Sequence, residues 1–240
     1  MAPRPKKESG FHGFPPEAIK FLRSLKKNNR REWFQPRKEQ FETHLKAPML
    51  LLIEELNHDL AKYAPEYVTE PKKALFRIYR DTRFSNDKRP YKTNIAAVFR
   101  RRGVEGGGLY FSVSDENVEV AAGIYHPTRE VMLAVRQYIA EHHQEFRRLL
   151  DDRQTKKLCG ELQGDELSRA PKGFDPAHPA LDLIRKKDWI LDVTLEPSIA
   201  TTPELYKNIS VLFRAMHPVS EFLNKPLLGR KPVTQSECYW

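Results

Sequence analysis

Between Lys72 and Arg102 the chain reads KKALFRIYRDTRFSNDKRPYKTNIAAVFRRR, with eleven Lys or Arg against two acids, Asp81 and Asp87. The whole 240-residue chain carries a net charge of +9, so this one stretch accounts for the entire surplus. A local field of that size draws anions toward it. Arg77, Arg83, Lys88 and Lys92 are the candidate ligand-binding residues. A guanidinium fork matches the planar oxygens of phosphate or carboxylate, and a lysine adds a mobile point charge. Asp81 and Asp87 are the carboxylates expected to orient those bases. Thr82, Ser85, Thr93, Tyr79 and Tyr91 stand among them as neutral hydrogen-bonding groups.

Such a site would serve an anion-binding protein with a phosphorylated or carboxylated partner. The same bases would also suit an enzyme acting on a phosphorylated metabolite, with Asp87, Tyr91 or His126 as weak catalytic candidates for moving protons. His126 enters that set because it directly precedes Pro127, at the expected start of a helix. A third reading is nucleic acid, since Phe76, Tyr79, Phe84, Tyr91 and Phe99 interleave with the bases as stacking recognition requires. Alternating strands produce the same interleaving with rings turned inward. A purely structural motif, with the two acids pairing some bases and solvent covering the rest, therefore stays open.

Other chemistries find little support. Eight histidines are scattered without an H-E-x-x-H pattern, and the single Glu55-x-x-His58 lacks the companions of a di-iron site, so no metal is expected. Gly106–Gly108 fits neither a Walker loop nor a dinucleotide fingerprint, and no cofactor is expected. Ser85-x-x-Lys88 matches a serine–lysine pair, but Ser24-x-x-Lys27 matches it equally well. Cys159 and Cys238 give neither a disulfide framework nor a metal-ligand spacing. No apolar run approaches the ~20 residues of a membrane span, and no apolar segment follows the basic start. A cytoplasmic setting without a membrane partner is the expectation.

The elements that must position the basic stretch follow from periodicity. Pro15 and Pro16 open a helix carrying Ile19, Phe21, Leu22 and Leu25, which ends at Asn28 or Asn29. Phe34, Phe41, Leu45, Leu52, Leu56 and Leu60 predict one long apolar face from Arg31 to about Ala61, kinked at Pro48. Strands are predicted at Ala74–Tyr79, Thr93–Phe99, 109–114 and 118–125, the last two joined by Asp115–Asn117 as a hairpin. A helix with Pro127 at its first position runs on through Val131, Val135, Tyr138, His142, Phe146 and Leu149. A long loop and a joint between lobes are expected near 151–175. A short helix at His178–Lys187 and a strand at Trp189–Leu195 come next, with Asp192 and Thr194 turned outward. Thr202 and Pro203 begin a final helix with Leu205, Ile209, Leu212, Met216, Val219 and Leu223 inward and a bend at Pro218. The fold class predicted is α+β, a small mainly antiparallel sheet covered by long helices. Residues 1–12 read as a flexible arm, 13–228 as one domain, and 229–240 as a frayed tail.

The order Arg77…Arg80-Asp81-x-Arg83-Phe84-Ser85-x-Asp87-Lys88-x-Pro90-Tyr91-Lys92-Thr93 resembles a family of uncharacterised bacterial and fungal proteins, the conserved domain of unknown function 2461. The segments GGGLYFSV at 106–113 and GFPPEAIKFLRSLKKNNRREWF at 13–34 are similar to that family as well. The resemblance spans about Phe14 to Leu228 and implies one family-length α+β domain without a second functional module. It implies no activity, cofactor or catalytic residue.

Overall fold

The computed structural model describes residues 10–83 and 85–230. The expectations for Phe84, Cys238, Trp240, the first nine residues and the tail from 231 lie outside the described residues.

Helix α1 (Pro16–Lys27) starts with a proline in its first turn and buries Ala18, Phe21, Leu22 and Leu25. Asn28 closes it at φ −129°, outside the left-handed region, with its amide bonded back to Leu25 and Ser24. The predicted long second helix is a broken one: α2 (Arg31–Phe34), a 3₁₀ turn (Gln35–Arg37), α3 (Lys38–Phe41), a π turn (Glu42–Lys46) and α4 (Ala47–Tyr63). Its apolar face survives every break, with Phe34, Phe41, Leu45, Leu52, Leu56 and Leu60 all buried. The kink expected at Pro48 is taken up by the wide turn just before it, where a proline without an N–H leaves the preceding ladder incomplete.

After a 3₁₀ turn (Pro65–Tyr67) and the single-turn helix α5 (Pro71–Ala74), the chain enters a sheet of β1 (Asn94–Arg100), β2 (Gly108–Ser114), β3 (Val118–Ile124) and β4 (Trp189–Leu195). The order is β1-β2-β3-β4 and every pairing is antiparallel. The predicted strand at Ala74–Tyr79 is corrected. Its backbone pairing among the described residues is two isolated bridges, Leu75↔Ala97 with β1 and Tyr79↔Tyr91 with the arm that leads into β1. The two bridges are out of register by two residues, so no continuous ladder runs between them.

Alternation on the strands gives two unlike faces. Ile95, Ala97, Phe99, Leu109, Phe111, Val113, Val120, Ala122 and Leu191 are buried against helices. Chief among these is α9 (Glu204–Asn224), where Phe213 meets Phe99 and Phe111 with ring centroids 5.6 and 6.3 Å apart. All six predicted apolar residues of α9 are buried, and the helix runs unbroken through Pro218. It begins at Glu204, while the Thr202 hydroxyl bonds back to Ile199. The opposite face carries Tyr110, Ser112, Glu119, Ala121 and Asp192.

Helix α6 (Arg129–Leu150) is capped by the Thr128 side chain, which accepts from the Val131 amide, so Pro127 lies just outside. His142, expected on its apolar stripe, is exposed and adopts non-helical angles that interrupt the helix. The stretch expected as a loop and joint carries α7 (Arg153–Cys159), whose Thr155 hydroxyl bonds to the Ala215 carbonyl of α9 at 3.1 Å. It then lies along β4 through the bridge Gln163↔Ile190. Only Leu181–Ile184 of the next predicted helix forms, as α8. The core reaches from Phe11 to Leu227 as one cluster, so Phe11, assigned to the arm, is part of it.

Candidate functional site

The basic stretch closes a loop whose neck is made of backbone. Arg80 N donates to Pro90 O at 2.9 Å, and Lys92 N donates to Ile78 O at 2.8 Å. Asn29, just beyond α1, clamps the returning arm from both sides. Its amide nitrogen donates to Tyr91 O at 2.9 Å and its oxygen accepts from Tyr91 N at 3.0 Å. A side-chain amide thereby supplies both bonds that a neighbouring strand would have given. The Tyr91 ring is buried and stacks on Phe34, with centroids 4.2 Å apart. These contacts tie the loop to the α1–α3 region.

Within the loop, the two acids hold specific arginines. Asp87 accepts from Arg89 through Nε and Nη2 at 2.7–3.0 Å and from Arg80 Nη1 at 2.6 Å. Hydrogen bonds from the Arg89 side chain and backbone, then from Arg80, hold its carboxyl well below the usual carboxylate range. Asp81 receives Arg83 in a fork, with Nη2 at 2.6 Å. Lys88 Nζ donates to the Thr82 carbonyl at 3.0 Å.

The other two expected ligand-binding residues stand differently. Arg77 is exposed, and it has no carboxylate partner among the described residues. Lys92 has none either. Its ammonium lies 4.5 Å from the centroid of the Phe76 ring, and that ring meets Tyr110 of the sheet edge-on at 6.2 Å. Burial, and then the charges of Arg77 and Arg80, push the Lys92 pKa down. The structure thus separates the four candidates into Arg83 and Lys88, which have local acceptors, and Arg77 and Lys92, which share a region of uncompensated positive charge.

The candidates for proton transfer do not converge. Tyr91 is in the core, where burial pushes its phenol pKa up. Asp87 is committed to its arginines. His126 lies beyond β3 with its side chain 61% exposed and its backbone at φ 46°, an uncommon conformation for a residue other than glycine. Its amide donates to the buried Asp188 carboxylate at 2.6 Å, which holds the bend in place.

One cluster that sequence reading missed has a metal-like composition. Glu66, His217 and Glu221 each bring one ligand atom within 4.8 Å of the others. Arg101 Nε already donates to both Glu221 oxygens, at 2.9 and 3.1 Å, so that carboxylate has its cation. No metal is assigned to it. The described residues also include no helix long and apolar enough to cross a membrane.

The chain matches the family described as conserved hypothetical protein (DUF2461) over residues 17–222. It belongs to that family. The match takes in nearly all of α1, the whole basic stretch, the sheet and nearly all of α9. Neither the curated proteins nor the solved structures yield a match. The clamp at Asn29 and the loop it holds both lie within the matched span.

Proposed function

We propose that the chain is an anion-binding protein whose site for a phosphorylated or carboxylated partner is centred on Arg77 and Lys92. The observation that carries this reading is the Lys92 ammonium, half-buried over Phe76 with Arg77 and the Asp87-paired Arg80 around it and no carboxylate partner of its own among the described residues. Desolvating an unpaired charge is costly, and a bound anion offsets that cost while relieving the repulsion between Arg77 and Lys92. Arg83 and Lys88 belong to the rim, where a ligand exchanges with Asp81 or the Thr82 carbonyl. Asp81 and Asp87 serve by fixing the loop.

Calorimetric titration with inorganic pyrophosphate tests this, using the wild type and an Arg77→Ala/Lys92→Ala variant. Saturable binding that weakens about tenfold or more in the variant, near 1.4 kcal/mol or above, is the expected result. Equal affinity in both proteins excludes the assignment. A single-stranded oligonucleotide titrated alongside separates a small ligand from the nucleic-acid alternative.

A further inference from the structure

On the sheet face turned away from α9 there is a cavity of about 380 Å³, lined chiefly by Tyr110, Glu119, Tyr125, Gln163, Ile190 and Asp192. Strand register builds it. Ala121 pairs with Tyr110 on one side and with Asp192 on the other, which sets those three in a row across β2, β3 and β4. Glu119 lies two residues from Ala121 on the same face and opposite Thr194. Glu119 and Asp192 are therefore diagonal neighbours, within reach of each other across one strand pair. Residues after α7 close the far wall, where Gln163 bridges to Ile190 of β4.

Neither carboxylate has a basic partner among the described residues. Glu119 Oε2 receives one long bond from the Ser112 hydroxyl at 3.4 Å, and Asp192 Oδ1 is buried without any hydrogen-bond partner. Burial, and then the charge of Asp192, push the Glu119 pKa up, and burial does the same for Asp192. Two desolvated acids beside aromatic rings make an environment short of positive charge. A monatomic cation would answer the carboxylates alone, leaving the ring walls and most of the volume unused. A ligand-sized space with apolar sides and two acceptors at its base suits a larger group.

We infer that this cavity binds an organic cation, an ammonium or guanidinium group carried on an apolar stem. The cationic head sits between Glu119 and Asp192, and the stem lies along Tyr110, Tyr125 and Ile190. This goes beyond the anion reading and does not rest on it, because the two loci have opposite charge and share no residue.

The test uses the full chain with benzylammonium and its neutral counterpart, benzyl alcohol, followed by two-dimensional NMR at pH 7.5. The amides of Tyr110, Glu119 and Asp192 shift with benzylammonium, which binds at least tenfold more tightly than the alcohol. Glu119→Gln and Asp192→Asn, each removing a charge but keeping the shape, weaken benzylammonium by tenfold or more and leave the melting temperature equal or higher. Arg77→Ala/Lys92→Ala leaves this binding intact, so the failure of either site is seen separately. Equal affinity for the alcohol, unaltered binding in both neutral variants, or the same shifts produced by magnesium chloride alone overturns the inference.

Discussion

Lys88 and Lys92 are four positions apart and carry the same charge, yet their surroundings differ. Lys88 reaches back to a carbonyl of its own loop at 3.0 Å. Lys92 is held over an aromatic ring, and burial with Arg77 and Arg80 nearby lowers its pKa. Its charged form is the one an anion prefers, so the sign of the pH effect is fixed. Anion affinity is expected to fade as pH rises through the lowered Lys92 pKa, earlier than for an ordinary lysine. Direct ¹⁵N detection of the Lys92 Nζ resonance across a pH series is expected to show that lowered midpoint, and pyrophosphate is expected to move it upward. A midpoint at the ordinary lysine value, unmoved by ligand, counts against this account of the residue. The sequence held Arg77, Arg83, Lys88 and Lys92 in one undivided group. Dividing them needed the positions of Asp81, the Thr82 carbonyl and Phe76 in space, which spacing alone does not give.

At the scale of elements, helix periodicity was the most legible signal. The stripes of α4 and α9 are buried at every predicted position because an amphipathic helix carries its burial pattern locally. The cross-links between helices were invisible, since each joins residues far apart in the chain. Asp59 of α4 is the clearest case. It accepts from Tyr206 Oη at 2.9 Å, from Ser210 Oγ, and from Lys62 Nζ at 2.7 Å. Burial raises its pKa, but the bonds from Lys62, Ser210 and Tyr206 outweigh that and bring it down to about 2. A carboxyl with a depressed folded-state pKa adds stability above its unfolded value and loses it as pH falls through the folded one. Asp59→Ala is therefore expected to cost about 2 kcal/mol in urea unfolding at pH 7, from charge-assisted bonds to α9 and within α4. The difference between variant and wild type shrinks as pH is lowered from 4 toward 2. A gap that stays constant over that range assigns the loss to packing instead.

For the whole molecule, the predicted class of a small antiparallel sheet covered by helices matches the architecture, while the first predicted strand does not form. Alternation at Ala74–Tyr79 satisfied the pattern for a strand, but pairing is a property of two segments, and the bridges Leu75↔Ala97 and Tyr79↔Tyr91 are out of register by two residues, so no continuous ladder joins them. In its place, the loop is secured by Asn29, 62 residues before Tyr91. The glycine run at 106–108 was legible as a backbone need and not as its cause. A Cβ on Gly106 would lie 2.2 Å from Asn224 Oδ1, and that buried amide bonds Gly107 through both its N–H and its carbonyl. The tip of α9 is thus fastened to the start of β2. Likewise, Asp192 was read as an outward residue of its strand, but its approach to Glu119 depends on the β3–β4 register. What the sequence located without ambiguity is the concentration of charge, the whole +9 within 31 residues, and the central claim rests on what that charge holds. The most direct measurement is pyrophosphate affinity over a salt series, for the wild type and for Arg77→Ala/Lys92→Ala. The account predicts affinity that falls as salt is raised in the wild type, and both a weaker affinity and a smaller salt dependence in the variant. Binding that is absent at low salt, or identical in slope and strength between the two proteins, contradicts it.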